Sequence, residues 1–209
     1  MNFPIVNRNE VEKHSHGSFN RYYIEYPTIF PSPSIKPFIQ VEMAFYQKPY
    51  PNEIKPINSL IGDWLLDHGR KEEAIEFNLC PFDMCVQKLE RTFIDEVFAI
   101  CDYYERREAT RNSRHIYDLY KIISKIDITN PALKNLVEAV RKDRMKDGRC
   151  ISARAGCEIN GALKRIKESD FFKSDYNNVT AMLLTTYVDY AHVITVLDQI
   201  VGSKLFAQK

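Results

Sequence analysis

The sequence predicts an α+β protein, with a small β-containing front followed by a mainly helical back. Before residue 90 the chain is rich in proline and aromatic residues, and its short apolar runs end in turn-forming segments. Beyond that point apolar residues recur every three or four positions, which is typical of amphipathic helices. The change of pattern predicts a boundary between residues 1–88 and residues 89–209.

Two strands are predicted first. Residues 21–27 are rich in tyrosine and end in a proline-containing turn segment. Residues 36–46 alternate with a period of two, which leaves Glu42 on one face of the strand. The opposite face carries the apolar residues that are expected to point into a core: Ile39, Val41, Met43 and Phe45. A short helix is predicted over residues 57–66 and a third strand over residues 74–79.

The helices of the back part have recognisable starts. Thr92 is predicted to cap the first, with Asp95 three residues later in a capping-box position. Ser113 is predicted to cap the second, and Asn130 the third, where Pro131 occupies the first helical position. Further helices are predicted over residues 162–171, 174–183 and 189–201. The apolar stripes of the first three helices are Phe93, Val97, Ile100, Cys101 and Tyr104; Ile116, Leu119, Tyr120, Ile123 and Ile126; and Leu133, Leu136, Val137 and Val140.

The charge balance limits the kinds of partner. A formal net charge of +1 means that any nucleic-acid binding must depend on local basic groups. Two such groups occur: Arg106, Arg107, Arg111 and Arg114; and Arg141, Lys142, Arg144, Lys146 and Arg149. They either dock phosphates of RNA or of a nucleotide, or form solvated helix faces, because acidic residues are interspersed among them.

The chain shows no sign of membrane insertion or export. No segment approaches the roughly 20 apolar residues that a membrane span requires. The first residues lack the apolar core of a signal peptide. A cytoplasmic protein with no membrane partner is expected.

Two segments in the predicted helices resemble a known family. TFIDEV, from Thr92, and SRHIYDL, from Ser113, resemble the helical-domain hallmark of the AbiEii/AbiGii nucleotidyltransferase toxins. That hallmark is a Thr-Phe-x-Glu-Lys start followed by Ser-Arg-His-x-Tyr-Asp-Leu. The upstream YYIEYPTIFPSPSIKPFIQVEMAFY and the later SDYNNVTAMLL resemble the same family in the same order, so the resemblance spans residues 22–201.

The resemblance implies both a fold and a chemistry. Residues 1–88 would form a partial nucleotidyltransferase-like β region, and residues 89–209 a helical domain. Complete members of the family are toxins of toxin–antitoxin and abortive-infection systems. They use a nucleoside triphosphate and Mg²⁺ to transfer a nucleotide to an RNA or protein acceptor. The implied partners are a cognate antitoxin and an RNA such as tRNA.

Glu42 is the candidate catalytic and metal-binding residue. It stands in IQVEMAF, where the family carries an acidic residue between apolar ones on a strand. The alternative is a solvated side chain on the polar face of an edge strand. The family's other carboxylates follow a Gly-Ser as an Asp-x-Asp pair, but Gly17-Ser18 is followed by no such pair. Because one carboxylate cannot hold two metal ions, we expect the chain to be truncated and inactive alone.

Arg114 and Asp118 match the family's second motif and are the candidate nucleotide- or phosphate-binding residues. Four positions apart on a helix, they alternatively pair with each other. Glu96 stands where the family carries lysine, and a carboxylate there repels triphosphate oxygens. His115 is expected to be a packing or hydrogen-bonding residue. The alternative function is a non-catalytic interaction module that binds an antitoxin, RNA or a separately encoded catalytic half.

Overall fold

The computed structural model of the chain describes residues 4–9, 11–14, 17–27, 37–44, 50–146 and 148–207. The chain divides into two compact units, Met1–Pro49 and Tyr50–Lys209. Small antiparallel sheets and many helices confirm the predicted α+β class. Within the described residues, no helix combines the length and apolar character that crossing a membrane requires.

The first unit contains one antiparallel sheet. Its strands lie in the order β1 (Glu12–His14), β2 (Phe19–Glu25) and β3 (Phe38–Ala44). Arg21 of β2 lies opposite Glu42 of β3. The strand predicted over residues 21–27 is present as β2 with shifted ends, and β3 lies within the described part of the strand predicted over residues 36–46.

The predicted core face of β3 is wrong. Ile39 is 55% exposed and Met43 is 43% exposed, while Val41 is partly buried. Phe45 lies outside the described residues. Among the described residues of this unit no helix or second sheet packs on the strands. The apolar face of β3 therefore has no core to pack into within that described part.

The second unit begins with a two-stranded antiparallel sheet and continues as helices. Its elements are β4 (Asn52–Ile57), α1 (Leu60–Asp67), α2 (Lys71–Glu76), β5 (Phe82–Gln87), α3 (Leu89–Glu105), α4 (Arg114–Ile123), α5 (Pro131–Arg144), α6 (Ile159–Glu168), α7 (Lys173–Asp175), α8 (Tyr190–Val193) and α9 (Val196–Gly202). β4 pairs with β5, and α1 and α2 lie between them in sequence. Short 3-10 helices at Ile151–Ala153 and Ala181–Leu183 and a π-helix at Tyr176–Thr180 complete it.

The strand predicted over residues 74–79 is wrong. Ala74 is fully buried inside α2, and the helix ends at Glu76. A short apolar run does not by itself distinguish a strand from a buried helical segment. The helix predicted over residues 57–66 is present as α1, capped by Ser59, whose hydroxyl accepts a hydrogen bond from the Gly62 amide at 2.9 Å.

Helix α3 is the centre of the second unit. It packs against α4, α5, α6 and the 3-10 helix Ile151–Ala153. Its predicted stripe is buried throughout, from Phe93 to Tyr104. Ile116 and Leu119 of α4 and Val137 and Val140 of α5 join the same core, which confirms the helical periodicity seen in the sequence.

Two of the three predicted helix caps differ from expectation. Asn130 caps α5 as predicted, because its side-chain oxygen accepts a hydrogen bond from the Ala132 amide at 2.9 Å. Ser113 directly precedes α4, but its buried hydroxyl lies 2.7 Å from the hydroxyl of Thr180. Thr92 lies inside α3, whose first residue is Leu89, and is therefore not a cap.

Asp95, predicted to complete a capping box, instead belongs to a buried ion network. It accepts from Arg91 Nε at 2.9 Å and from Arg144 Nη1 at 3.1 Å. Arg144 Nη2 lies 3.2 Å from Asp102, which also accepts from the Ser152 amide at 2.7 Å. These five residues are called the buried ion network below. Arg144 is only 8% exposed, so it does not belong to a phosphate-docking surface.

Candidate functional site

The two motifs that carry the family resemblance meet where α4 packs against α3. Glu96 and Tyr103 are seven residues apart and so lie on the same face of α3. His115 and Asp118 are three residues apart and share a face of α4. The contact between these faces brings Glu96, His115 and Asp118 together, and these three residues are called the acidic–histidine cluster below.

The acidic–histidine cluster is compact. His115 Nδ1 is hydrogen-bonded to Glu96 Oε2, which as a carboxylate oxygen accepts the bond. One ligand atom from each of the three residues lies within 4.8 Å of the other two. The side chains of His115 and Glu96 are only 13% and 19% exposed. Two carboxyl groups and an imidazole therefore share a small, partly desolvated volume.

The His115 imidazole makes a stacking contact on its ring face in addition to the hydrogen bond at its edge. Tyr103 stacks on His115 with 5.2 Å between ring centroids and 22° between planes. The Arg106 guanidinium lies 5.0 Å from the centroid of the Tyr103 ring. His115 Nε2 is buried and has no hydrogen-bond partner in the part of the chain that the structure describes. These contacts agree with the expected packing and hydrogen-bonding role of His115.

The pKa of Asp118 is shifted by its surroundings in the cluster. Burial and then the negative charge of Glu96 raise the pKa of the Asp118 carboxyl, while His115 and Arg114 act in the opposite sense. Arg114 and Asp118, both described, form no ion pair with each other. Because burial is the first cause of the raised pKa, Asp118 occupies a partly desolvated position beside the Glu96 carboxylate.

Glu42 lies in the first unit, on β3. Its carboxylate accepts hydrogen bonds from Arg21 Nε at 2.9 Å and from Gln40 Nε2 at 2.7 Å. It does not belong to any described group of three or more residues able to hold a metal ion. The described residues around Glu42 therefore do not fit a two-metal nucleotidyltransferase site, and its catalytic role stays a prediction.

Sequence reasoning identified the members of the cluster but not their grouping. From the sequence, Glu96 is distinguished only by its position, where the family carries lysine. His115 is predicted only to be a packing or hydrogen-bonding residue. The sequence feature that could have indicated the cluster is the His-x-x-Asp spacing on α4, next in sequence to an amphipathic helix that carries a carboxylate. Grouping the three residues also requires the register of α3 against α4, and that register is set by tertiary packing.

Comparison with known protein families gives a match over most of the chain. A family model described as nucleotidyl transferase AbiEii toxin, type IV TA system, matches residues 3–193. The match includes both motifs of the α3–α4 contact. No curated protein and no solved structure matches the chain.

Proposed function

Because the chain belongs to the nucleotidyl transferase AbiEii toxin family of type IV toxin–antitoxin systems, we propose that it is a toxin relative that does not transfer a nucleotide by itself. The observation that carries this proposal concerns Glu42. Its carboxylate is paired with Arg21, and it belongs to no described group of three or more residues able to hold a metal ion.

Phosphoryl transfer needs several carboxylates at one place. Metal ions that bridge the triphosphate oxygens neutralise the charge that develops as pyrophosphate leaves. Gly17-Ser18 is followed by no Asp-x-Asp pair, and Glu42 is the candidate metal ligand on β3 of the same sheet. In this proposal a separately encoded catalytic half supplies the carboxylates that complete such a site.

The α3–α4 face supports the same conclusion. Glu96 occupies the position at which the resemblance implies a lysine, and it lies beside Asp118. Two carboxylates at this position repel a triphosphate, whereas a lysine would attract it. Arg114 is exposed nearby and remains the proposed phosphate-binding residue. Asp118, which forms no ion pair with it, remains a proposed residue of the nucleotide site.

The complete system would act in the cytoplasm. The donor would be a nucleoside triphosphate with Mg²⁺, and the acceptor an RNA such as tRNA or a protein. A cognate antitoxin would oppose it.

A direct transfer assay tests the proposal. The purified chain is incubated with each labelled nucleoside triphosphate, Mg²⁺ and tRNA, and incorporation into RNA and protein is measured. We expect no incorporation. Incorporation that Glu42→Ala abolishes would overturn the proposal and would make Glu42 a catalytic residue.

A charge reversal tests the part that concerns Glu96. Glu96→Lys should bind a nucleoside triphosphate more tightly than the unaltered chain, because it replaces a repelling charge with an attracting one. Glu90→Lys, on the same helix but outside the cluster, is the matched control for the added charge. Equal affinities of the two variants in a binding titration would argue against a phosphate site on this face.

A further inference from the structure

We propose that Glu96, His115 and Asp118 form a binding site for one divalent transition-metal ion of the zinc type. The three side chains offer one ligand atom each, all within 4.8 Å of one another. The inference goes beyond the proposed function, because it concerns a bound ion and does not require nucleotide transfer.

The donor atoms select the class of ion. An imidazole nitrogen with two carboxylate oxygens suits Zn²⁺ and related first-row ions. Mg²⁺ instead prefers an octahedral shell of oxygens and retains several waters. Three protein ligands are the usual number at a zinc site that keeps its fourth position for water or another ligand.

The cluster already brings its donor atoms toward one point. His115 Nδ1 and Glu96 Oε2 are hydrogen-bonded, and the ligand atoms of all three side chains lie within 4.8 Å of one another. A bound metal ion would replace the hydrogen that joins Nδ1 to Oε2, and the two carboxylates would balance part of its charge.

The surroundings hold the ligands in place for such an ion. Tyr103 stacks on the His115 ring and fixes its plane. α3 and α4 pack through fully buried side chains, so the backbone positions of the ligands are set by the core. Metal–ligand distances of about 2.0–2.2 Å require the donor atoms to draw closer together, and partly exposed carboxylate side chains can do so by rotation.

Metal titration of the full chain tests the site. Cys80 and Cys85 are exposed thiols that would bind zinc independently, so both are first replaced by serine. Zn²⁺ binding is measured by calorimetry, and Co²⁺ binding by visible absorption. We expect one equivalent of metal and a cobalt spectrum without thiolate charge transfer. Absence of binding by this chain would overturn the proposal.

Variants of the ligands locate the bound ion. Glu96→Gln and Asp118→Asn, which preserve side-chain size, should each weaken Zn²⁺ binding by at least about tenfold. Glu72→Gln and His68→Gln change exposed residues of the same types elsewhere and should leave the affinity unchanged. Equal affinity in all four variants would overturn the proposal.

A measurement of thermal stability distinguishes loss of metal binding from failure of a variant to fold. In the chain with Cys80 and Cys85 replaced by serine, Zn²⁺ should raise the thermal midpoint more than it does when Asp118→Asn is added. The Asp118 side chain makes no hydrogen bond among the described residues, so this variant is expected to fold even if Glu96→Gln does not. An equal zinc-dependent rise in Asp118→Asn would place the ion elsewhere. None of these measurements depends on the transfer assay, so the two proposals can fail separately.

Discussion

The Asp127 carboxyl group shows how local contacts set the charge state of a single residue. It accepts hydrogen bonds from the Thr129 hydroxyl at 2.6 Å and from the Thr129 amide at 2.9 Å. The hydroxyl bond, and then the amide bond, lower the pKa of Asp127. Because the folded pKa lies below the unfolded value of about 3.9, this stabilisation is present above that pH and is lost as the pH falls through the folded pKa.

Thr129→Val tests this assignment. The substitution removes the hydroxyl and keeps the amide, so the pKa of Asp127 should rise toward its ordinary value without reaching it. The pKa is measured by an NMR titration of the carboxyl carbon between acid and neutral pH. Thr185→Val changes an exposed threonine elsewhere and should have no effect. An unchanged Asp127 pKa in Thr129→Val would contradict the assignment.

At the scale of elements, the buried ion network joins α3 to α5 and to the 3-10 helix Ile151–Ala153. Arg144 of α5 bridges Asp95 and Asp102, which are two turns apart on α3. Ser152 ties the 3-10 helix to the same Asp102 carboxylate. Charges this deeply buried are tolerated only while each has its partner.

Arg144→Met should therefore destabilise the fold by roughly 3–5 kcal/mol, because it leaves two carboxylates without their shared cation. The free energy of unfolding is measured by urea denaturation. Lys142→Met, at an exposed position of the same helix, is the matched control and should change stability by less than about 0.5 kcal/mol. If the two substitutions cost the same, the network does not stabilise the contact between α3 and α5.

At the scale of the whole molecule, the buried apolar core belongs to the second unit. Its described members run from Leu65 to Phe206. The hairpin of β4 and β5 is joined to the start of α3 by two long-range hydrogen bonds. The Lys88 amide donates to the Pro51 carbonyl at 3.0 Å, and Arg91 Nη1 donates to the Tyr50 carbonyl at 2.8 Å.

Two fragments test where the helical domain begins. A fragment of residues 50–209 should unfold cooperatively, because it contains the whole described core. A fragment of residues 89–209, which follows the boundary predicted from the sequence, should be less stable by about 1–3 kcal/mol because Arg91 loses a buried acceptor. Urea denaturation of both fragments measures the difference. Equal stability would support the boundary after residue 88.

The helical back part was predictable because its signals are local. The stripes that begin at Phe93, Ile116 and Leu133 repeat at helical spacing, and such periodicity requires no knowledge of the rest of the chain. Asn130 followed by Pro131 is equally local and caps α5 as predicted. The order of the two motifs at Thr92 and Ser113 with the flanking segments is what indicates the family.

Tertiary packing determines the contacts that polar residues of these helices make. Ser113 meets Thr180, 67 positions later, in place of capping its own helix. Arg144 enters the core, although the basic run around it resembles a solvated face.

The acidic–histidine cluster joins Glu96 to His115 across 19 positions, through the register of α3 against α4. The main helices of residues 89–209, their apolar faces and the family could therefore be predicted from the sequence alone. Which polar side chains meet could not, because those contacts depend on how separate helices pack.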